Sequence, residues 1–512
     1  MATGGRAKQR KAHGKRRTAD EAPAQSLPEA LPPLGAAALV FVAAGAVLML
    51  EILAVRLLAP YLGLTLETTT AIIGAALGGI AAGAALGGYF ADRTDTRRLI
   101  VALLIGGGLL TLLIVPVVHW LGPGARGDGG ITALVITVVA LVPATAALSA
   151  VSPAVAHLQL HDLRASGTVV GSLSAWGTAG ALIGTFGTGF VLVPLMPVNT
   201  AVLVIGVVLV LVGIGLGASS RLLSLAGVGG VTLSVLVLGA WSGGFESPCE
   251  VETKYHCVTL EADPEHRGGY TLMLDDLPHS YVDLDDPTHL EFNYVRWIAN
   301  AIEATSQPRA PLEVVFVGGG GFTLPRWLNA TRPGSRAHVI EVDGELVDFD
   351  EERLGLRTSP SLTVSVGDAR VGMLDVDSDS ADVVVGDAFG NHAVPWHLAT
   401  AEWADEVKRV LEPDGLYALN VIDSLPLDLL RAEAATLLDA FADVRMVTFG
   451  FEERPFGGNA VLLASDQPIP KAAGFKSPEV TTVSYDEVQS FAEDAEILRD
   501  DFAPADQLLT SP

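Results

Sequence analysis

LEVVFVGGGG (Leu312–Gly321) is the stretch on which the fold turns. Its β-branched valines favour a strand. Consecutive apolar positions bury both faces, as in a parallel sheet covered on each side. Four glycines end the run, and TLPRWLNA (Thr323–Ala330) reads as the helix that follows. The pattern then repeats. Strands are expected at AHVIEVD (Ala337–Asp343), LTVSVGDAR (Leu362–Arg370), ADVVVGDAF (Ala381–Phe389) and GLYALNVID (Gly415–Asp423), with a helix from about Trp396 to Leu411. Two further strand candidates lie at 443–449 and 459–465. Strands alternating with helices predict a mostly parallel α/β sheet with helices on both faces.

The chemistry follows from that order. Ligands of open parallel sheets bind beyond the C-terminal strand ends, where strand order reverses. Gly318, Gly319 and Gly320 let the backbone approach a ligand. Glu341 stands 23 residues after Gly318, at the next strand tip, where a carboxylate takes both hydroxyls of a ribose. Asp368 and Asp387 occupy the two tips after it. A helix N-cap is the structural alternative for each single aspartate. Acids at several successive tips make a ligand site the stronger expectation.

Outward from this unit the chain changes character. Residues 34–241 carry long runs of Ala, Val, Leu, Ile and Gly, and a bilayer span needs about 20 such residues. Seven segments qualify, near 34–58, 71–90, 99–120, 131–156, 168–193, 199–218 and 222–241. Arg6–Arg17, Arg93, Arg97, Arg98, Arg164 and Arg221 fall on one side of them, with Arg126 the exception. Retention of Lys and Arg in the cytoplasm places the N-terminus there, in a multi-pass cell-membrane protein. Seven spans from an inside start would deliver the soluble half outside, whereas sulfonium nucleotide chemistry belongs in the cytosol; the sequence leaves that side open. Gly79, Gly83 and Gly87, four residues apart, form a helix-packing ridge. Glu51 and Arg56 in the first span are ionisable groups that mark functional candidates or helix locks. GGYFADRTDTRR (Gly87–Arg98) resembles the cytoplasmic loop motif of major facilitator transporters, although this chain has fewer spans than they do.

From Glu246 onward 49 acidic side chains face 18 basic ones. That balance excludes nucleic acid as a partner, since affinity for it rests on neutralising phosphates. It suits a small cationic amine, or simply a solvated acidic surface. The two cysteines, Cys249 and Cys257, exclude a zinc cluster or disulfide framework, and no metal site is expected. They are free thiols unless they face the outside, where they could pair.

Residues 250–465 resemble the spermidine synthase family of polyamine aminopropyltransferases, in particular its bacterial branch with a multi-span, facilitator-like N-terminal region. VVFVGGGG, HVIEVDGELVDFDEERLGL, VGDAR and DVVVGDAFG match in order and spacing, and LMLDDLPHSYVD resembles the strand-turn ahead of the nucleotide domain. The resemblance implies a small β-domain followed by a Rossmann-like, class I methyltransferase-type domain. It implies decarboxylated S-adenosylmethionine as co-substrate, with no tightly bound cofactor, and aminopropyl transfer to putrescine. Glu341 would hold the ribose, Asp368 and Ala369 the adenine, and Asp387 would be the catalytic base. His279 stands where the family has a nucleotide-side Gln. Gly321 and Gly390 stand where it has acids, so nucleotide binding is better preserved than diamine binding.

The expected layout is a basic tail (1–33), a membrane region of about seven spans (34–241), a small β-rich domain (246–305), the Rossmann-like domain (311–470) and an acidic extension (471–512). Three functions compete. They are a membrane-bound aminopropyltransferase, an S-adenosylmethionine-dependent methyltransferase, and a non-catalytic or transport-coupled protein that keeps the fold. The bilayer is the expected partner, and a homo-oligomer is left open.

Overall fold

A computed structural model describes residues 31–62, 66–125, 130–160, 166–219, 232–235, 237, 239–240, 243–389, 394–449, 458–470 and 480–509. The basic tail and Gly390 lie outside the described residues, and the apolar segment 222–241 does so for the most part.

The apolar half is a helical bundle: α1 (Pro33–Leu62), α2 (Leu66–Ala91), α3 (Thr96–Leu121), α4 (Gly130–Ala140), α5 (Val142–Ser149), α6 (Val151–Gln159), α7 (Ser166–Gly187) and α8 (Val198–Ser219). Among the described residues, five helices are long and apolar enough to cross a membrane. Residues 131–156, read as one span, form two helices, Ile131–Ala140 and Val142–Gln159, which together are apolar and long enough for one span and are bent by 49° at their junction. Pro143 opens the second piece, and proline removes a helical N–H and clashes with the preceding turn.

The glycine ridge of α2 is what lets that helix lie against α5. A Cβ on Gly83 would sit 2.1 Å from the Ala146 carbonyl oxygen, and one on Gly79 would sit 2.2 Å from Thr145 Oγ1. On α7, Gly180 meets the Phe41 carbonyl of α1 as closely, at 2.1 Å. Small residues at such crossings let backbones touch, which is how apolar helices gain packing without a hydrophobic driving force between them.

The polar half has two sheets. The smaller is an antiparallel meander of β1 (Val251–Glu252), β2 (Cys257–Ala262), β3 (Gly269–Leu274) and β4 (Leu277–Asp283). Helix α9 (Asn293–Thr305) leads into the larger sheet, built from β5 (Glu313–Val317), β6 (Arg336–Glu341), β7 (Leu362–Val366), β8 (Ala381–Gly386), β9 (Leu411–Asp423), β10 (Asp443–Phe449), β11 (Gly458–Ser465) and β12 (Val480–Val483). Its order is β12-β10-β11-β9-β8-β5-β6-β7. Strands β5 to β9 are parallel and the rest antiparallel. This is a doubly wound, Rossmann-like sheet of methyltransferase type. Residues beyond 470, read as a separate acidic extension, include its edge strand, β12.

The consecutive apolar run of β5 divides between two cores. Val315 and Val317 pack with Trp403 and Val407 on one face, and Val314 and Phe316 with Trp297, Ile298 and Leu328 on the other. Alternate side chains of a strand point to opposite faces, so a continuous apolar run marks a strand covered twice. Chain order runs outward from β5 to β6 and β7, then crosses back to β8. The reversal therefore lies between β5 and β8, and a crevice opens at their C-terminal ends.

Gly83→Leu is expected to destabilise the bundle by about 1–3 kcal/mol or more, the usual cost of overpacking. Gly78→Leu should be nearly silent, because nothing lies within 4 Å of its Cβ position. Thermal unfolding of the two variants in detergent checks this, and equal melting temperatures would refute the close helix contact.

Candidate active site

A cavity of about 910 Å³ fills the crevice. Its walls come from both sheets, and they include Gly318, Gly320, Glu341, Asp368, Ala369, Asp387 and His279, seven residues that the sequence nominated. Its size is that of a site for a drug-sized ligand.

The floor is the loop after β5. Gly318 has φ +93°, and a Cβ there would sit 2.5 Å from the Asp387 carbonyl oxygen. Only glycine serves both demands. Gly319 contributes its amide rather than a wall. That N–H donates to Glu341 Oε2 at 2.7 Å, while Glu341 Oε1 accepts from the Asp343 amide at 2.9 Å. The carboxylate is thus anchored through both oxygens at the tip of β6, and each oxygen keeps a lone pair for a hydroxyl. Burial pushes its pKa up, and the two amide bonds oppose that shift.

The missing acid at Gly321 has a steric reason. A Cβ there would lie 2.7 Å from Val282 Cγ2 and 3.1 Å from Ser280 Cβ, both on β4. The Gly321 amide donates to Ser280 Oγ at 3.0 Å. Strand β4 of the small sheet therefore occupies the space in which an acidic side chain would stand.

The aspartates at the strand tips divide by role. Asp343 caps the helix Gly344–Arg353, accepting from the Glu345 and Leu346 amides. Asp423 accepts from the Ser424 and Leu430 amides and shapes the turn after β9. Asp368 caps the short helix Ala369–Gly372 through Oδ1, and its Oδ2 lies 3.0 Å from His397 Nε2. It is both a cap and a cavity wall.

Asp387 is different. It caps no helix among the described residues and is half-buried at the end of β8, where Oδ1 accepts from Asn420 Nδ2 at 2.9 Å and Oδ2 from the Tyr294 hydroxyl at 3.2 Å. Asn459 Nδ2 in turn donates to Asn420 Oδ1 at 3.0 Å, fixing the amide's orientation. Burial raises the Asp387 pKa to about 6, against the pull of the Asn420 and Tyr294 hydrogen bonds. A carboxylate so poised can hold a cation and accept a proton near neutral pH.

Sequence reasoning missed Tyr294, Asn420, His397 and the His256–Asp275 pair, whose Nδ1 and Oδ2 are 3.0 Å apart. Asn420 carried a signal, being an amide inside the apolar strand LYALNVI. The histidines carried none, since loops bring them in. His279, in β4, lines the cavity with its ring 6.1 Å from that of His256.

No family model matches the chain. It is 25% identical over 236 residues to a polyamine aminopropyltransferase of Vibrio vulnificus, spanning 42% of this chain and 75% of that one. It is 25% identical over 144 residues to an eEF1A lysine and N-terminal methyltransferase of Danio rerio, 26% of this chain and about a fifth (21%) of that protein. Among solved structures, a probable spermidine synthase from Corynebacterium glutamicum aligns with a TM-score of 0.46 and 27% identity, over 49% of this chain and 95% of its own. The soluble half is thus similar in sequence to aminopropyltransferases and, over a shorter stretch, to methyltransferases.

Glu341→Gln is expected to weaken an adenosyl nucleotide by about 1.5–3 kcal/mol, the usual worth of hydrogen bonds to a charged group. Calorimetry with S-adenosylmethionine, its decarboxylated form and methylthioadenosine measures it. Unchanged affinity in a folded variant would remove Glu341 from the site.

Proposed function

We propose that this chain is a membrane-embedded transferase of the spermidine synthase type, moving an alkyl group from an adenosyl sulfonium nucleotide to an amine. The observation that carries the reading is Asp387, a half-buried carboxylate with two neutral donors, set beside the glycine loop in the cavity that Glu341 also lines. The similarity to an aminopropyltransferase supports it, as does the acidity of the soluble half. Decarboxylated S-adenosylmethionine is the donor this reading favours, with Gly318, Gly320, Glu341, Asp368 and Ala369 holding its nucleoside. His279 belongs to the wall contributed by the small sheet.

A protonated amine has no lone pair. Asp387 takes its proton, and the nitrogen lone pair then forms a C–N bond at the carbon attached to sulfur. The C–S bond breaks and its electron pair returns to sulfur, leaving a neutral thioether nucleoside. Asn420 and the Tyr294 hydroxyl hold the carboxylate still and stabilise its charged form. The Rossmann-like scaffold and a ribose carboxylate equally serve methyl transfer, so the identity of the donor separates the two chemistries.

In this reading the apolar helices cross the bilayer, with the basic tail and the Arg93–Arg98 loop on the cytoplasmic face. Their length, hydropathy and one-sided arginines support it. The missing second acid at Gly390 suits an acceptor other than putrescine.

Asp387→Asn is expected to lower turnover about 10²–10⁴-fold, the range for loss of a general base, with nucleotide affinity retained. The amide can neither take a proton nor balance an ammonium. In the unsubstituted protein the base must be ionised, so the rate should rise with pH through about 6 and then level. Asn420→Ala removes a bond that favours the ionised form, so that limb should move to higher pH. Steady-state rates against pH for the three proteins check this, using decarboxylated S-adenosylmethionine and a panel of amines. Methyl transfer from S-adenosylmethionine without transfer from its decarboxylated form would overturn the reading.

A further inference from the structure

The soluble half rests on one end of the helical bundle, and that end is defined by contacts. Arg56, near the C-terminal end of α1, donates to the backbone carbonyls of Thr253 and Lys254. The Val198 amide, at the start of α8, donates to Glu252 Oε2 at 2.8 Å, and Asn199 Nδ2 to the Glu246 carbonyl at 3.4 Å. The ring of His119, at the end of α3, lies 6.3 Å from that of Tyr61 on α1. So the end of α1, the end of α3 and the start of α8 meet the catalytic half.

The other end is equally well marked. The start of α1 is held by Gln159 Nε2 on the Leu31 carbonyl at 2.9 Å. The end of α2 and the start of α3 meet the end of α6 there, with Thr96 Oγ1 3.2 Å from His157 Nδ1 and Asp92 3.6 Å from its Nε2. A helix of 26 residues, the length of α3, separates the two ends by about 39 Å. Arg93, Arg97 and Arg98 sit at this second end. In the sequence, Arg6–Arg17 precede the start of α1, Arg164 follows the end of α6 and Arg221 follows the end of α8. Basic residues are retained on the cytoplasmic side, so the catalytic half docks on the opposite one.

An independent observation agrees. Cys249 and Cys257 form a disulfide in the segment that rests on the helix ends. Structural disulfides form and persist in oxidising compartments and are rare in the cytosol. The loop it closes carries Tyr255 and His256 into the wall of the active-site cavity.

We propose that the catalytic half of this chain works on the extracytoplasmic face of the membrane, docked on the outer helix ends with the Cys249–Cys257 disulfide formed. The proposal rests on the reading of the helices as membrane-spanning, and not on the identity of the transferred group. Its chemical consequence is that donor nucleotide and amine acceptor must both reach that face.

The full chain, expressed in bacterial cells with a C-terminal reporter, tests it without any activity assay. Alkaline phosphatase, which becomes active only where its disulfides form, should be active when fused after Pro512. A green fluorescent protein that matures only in the cytosol should be dark there and bright when fused after Asp95. Alkylation of the unfused chain in acid-quenched cells should find both cysteines blocked until reductant is added. A bright, phosphatase-negative C-terminal fusion, or two cysteines alkylated without reductant, would overturn the proposal. Loss of transfer activity in Asp387→Asn would leave all these readouts unchanged, so the two readings fail separately.

Discussion

Everything at the site depends on how closely two backbone segments meet where strand order reverses. Gly318 leaves β5 and Asp387 leaves β8, and the loops touch so tightly that a single added carbon at 318 would sit 2.5 Å from the Asp387 carbonyl oxygen. The Asp387 amide is itself tied to the Val317 carbonyl at 2.9 Å. This contact sets the position of the Asp387 carboxylate relative to the glycine loop. The apolar cores on both faces of β5 and β8 hold the strands that carry it. A shift of either strand by one residue would turn its buried side chains to the other face and would carry the carboxylate away from the cavity.

The site is also tied to the helices through a continuous run of polar contacts. Arg56 holds the Thr253 carbonyl, and the Thr253 hydroxyl donates to Asp343. The Asp343 amide donates to Glu341, which in turn receives the Gly319 amide. Arg56, an ionisable group of the first apolar segment, is therefore bonded to the protein's own backbone. Asp343, beyond capping its helix, is the joint between the small sheet and the Glu341 carboxylate. The small sheet acts as a wall rather than an appendage. Its β4 fills the space above the glycine loop, which accounts for Gly321, and its disulfide loop supplies Tyr255 and His256.

Burial of polar groups is what gives the strand-tip carboxylates different properties. Asp368 is half exposed and spends its oxygens on a helix cap and His397. Asp387, with the same side chain three places away in the sheet, is desolvated and meets two neutral donors, and its pKa rises to about 6. Desolvation disfavours the charged form, and hydrogen bonds to that form restore part of it. The surroundings, and not the residue type, separate the two aspartates.

The sequence by itself determined the parallel sheet, the glycine loop, the tip positions of Glu341, Asp368 and Asp387, and the apolar runs. These are local signals, set by strand periodicity, by turn chemistry and by the length needed to span an apolar layer. The bend within 131–156 was not foreseen because hydropathy does not register the break at Leu141 ahead of Pro143. The edge strand at 480–483 was missed because four residues carry too little periodicity. The tertiary structure alone decided that Tyr294, Asn420, His397, His256 and Asp275 join the site. It also decided that Cys249 pairs with Cys257, and which end of the bundle carries the two sheets. Each of these is a contact between segments distant in sequence or on separate loops. Such contacts are fixed by how the two sheets and the helix ends pack, and no spacing within a single segment encodes them.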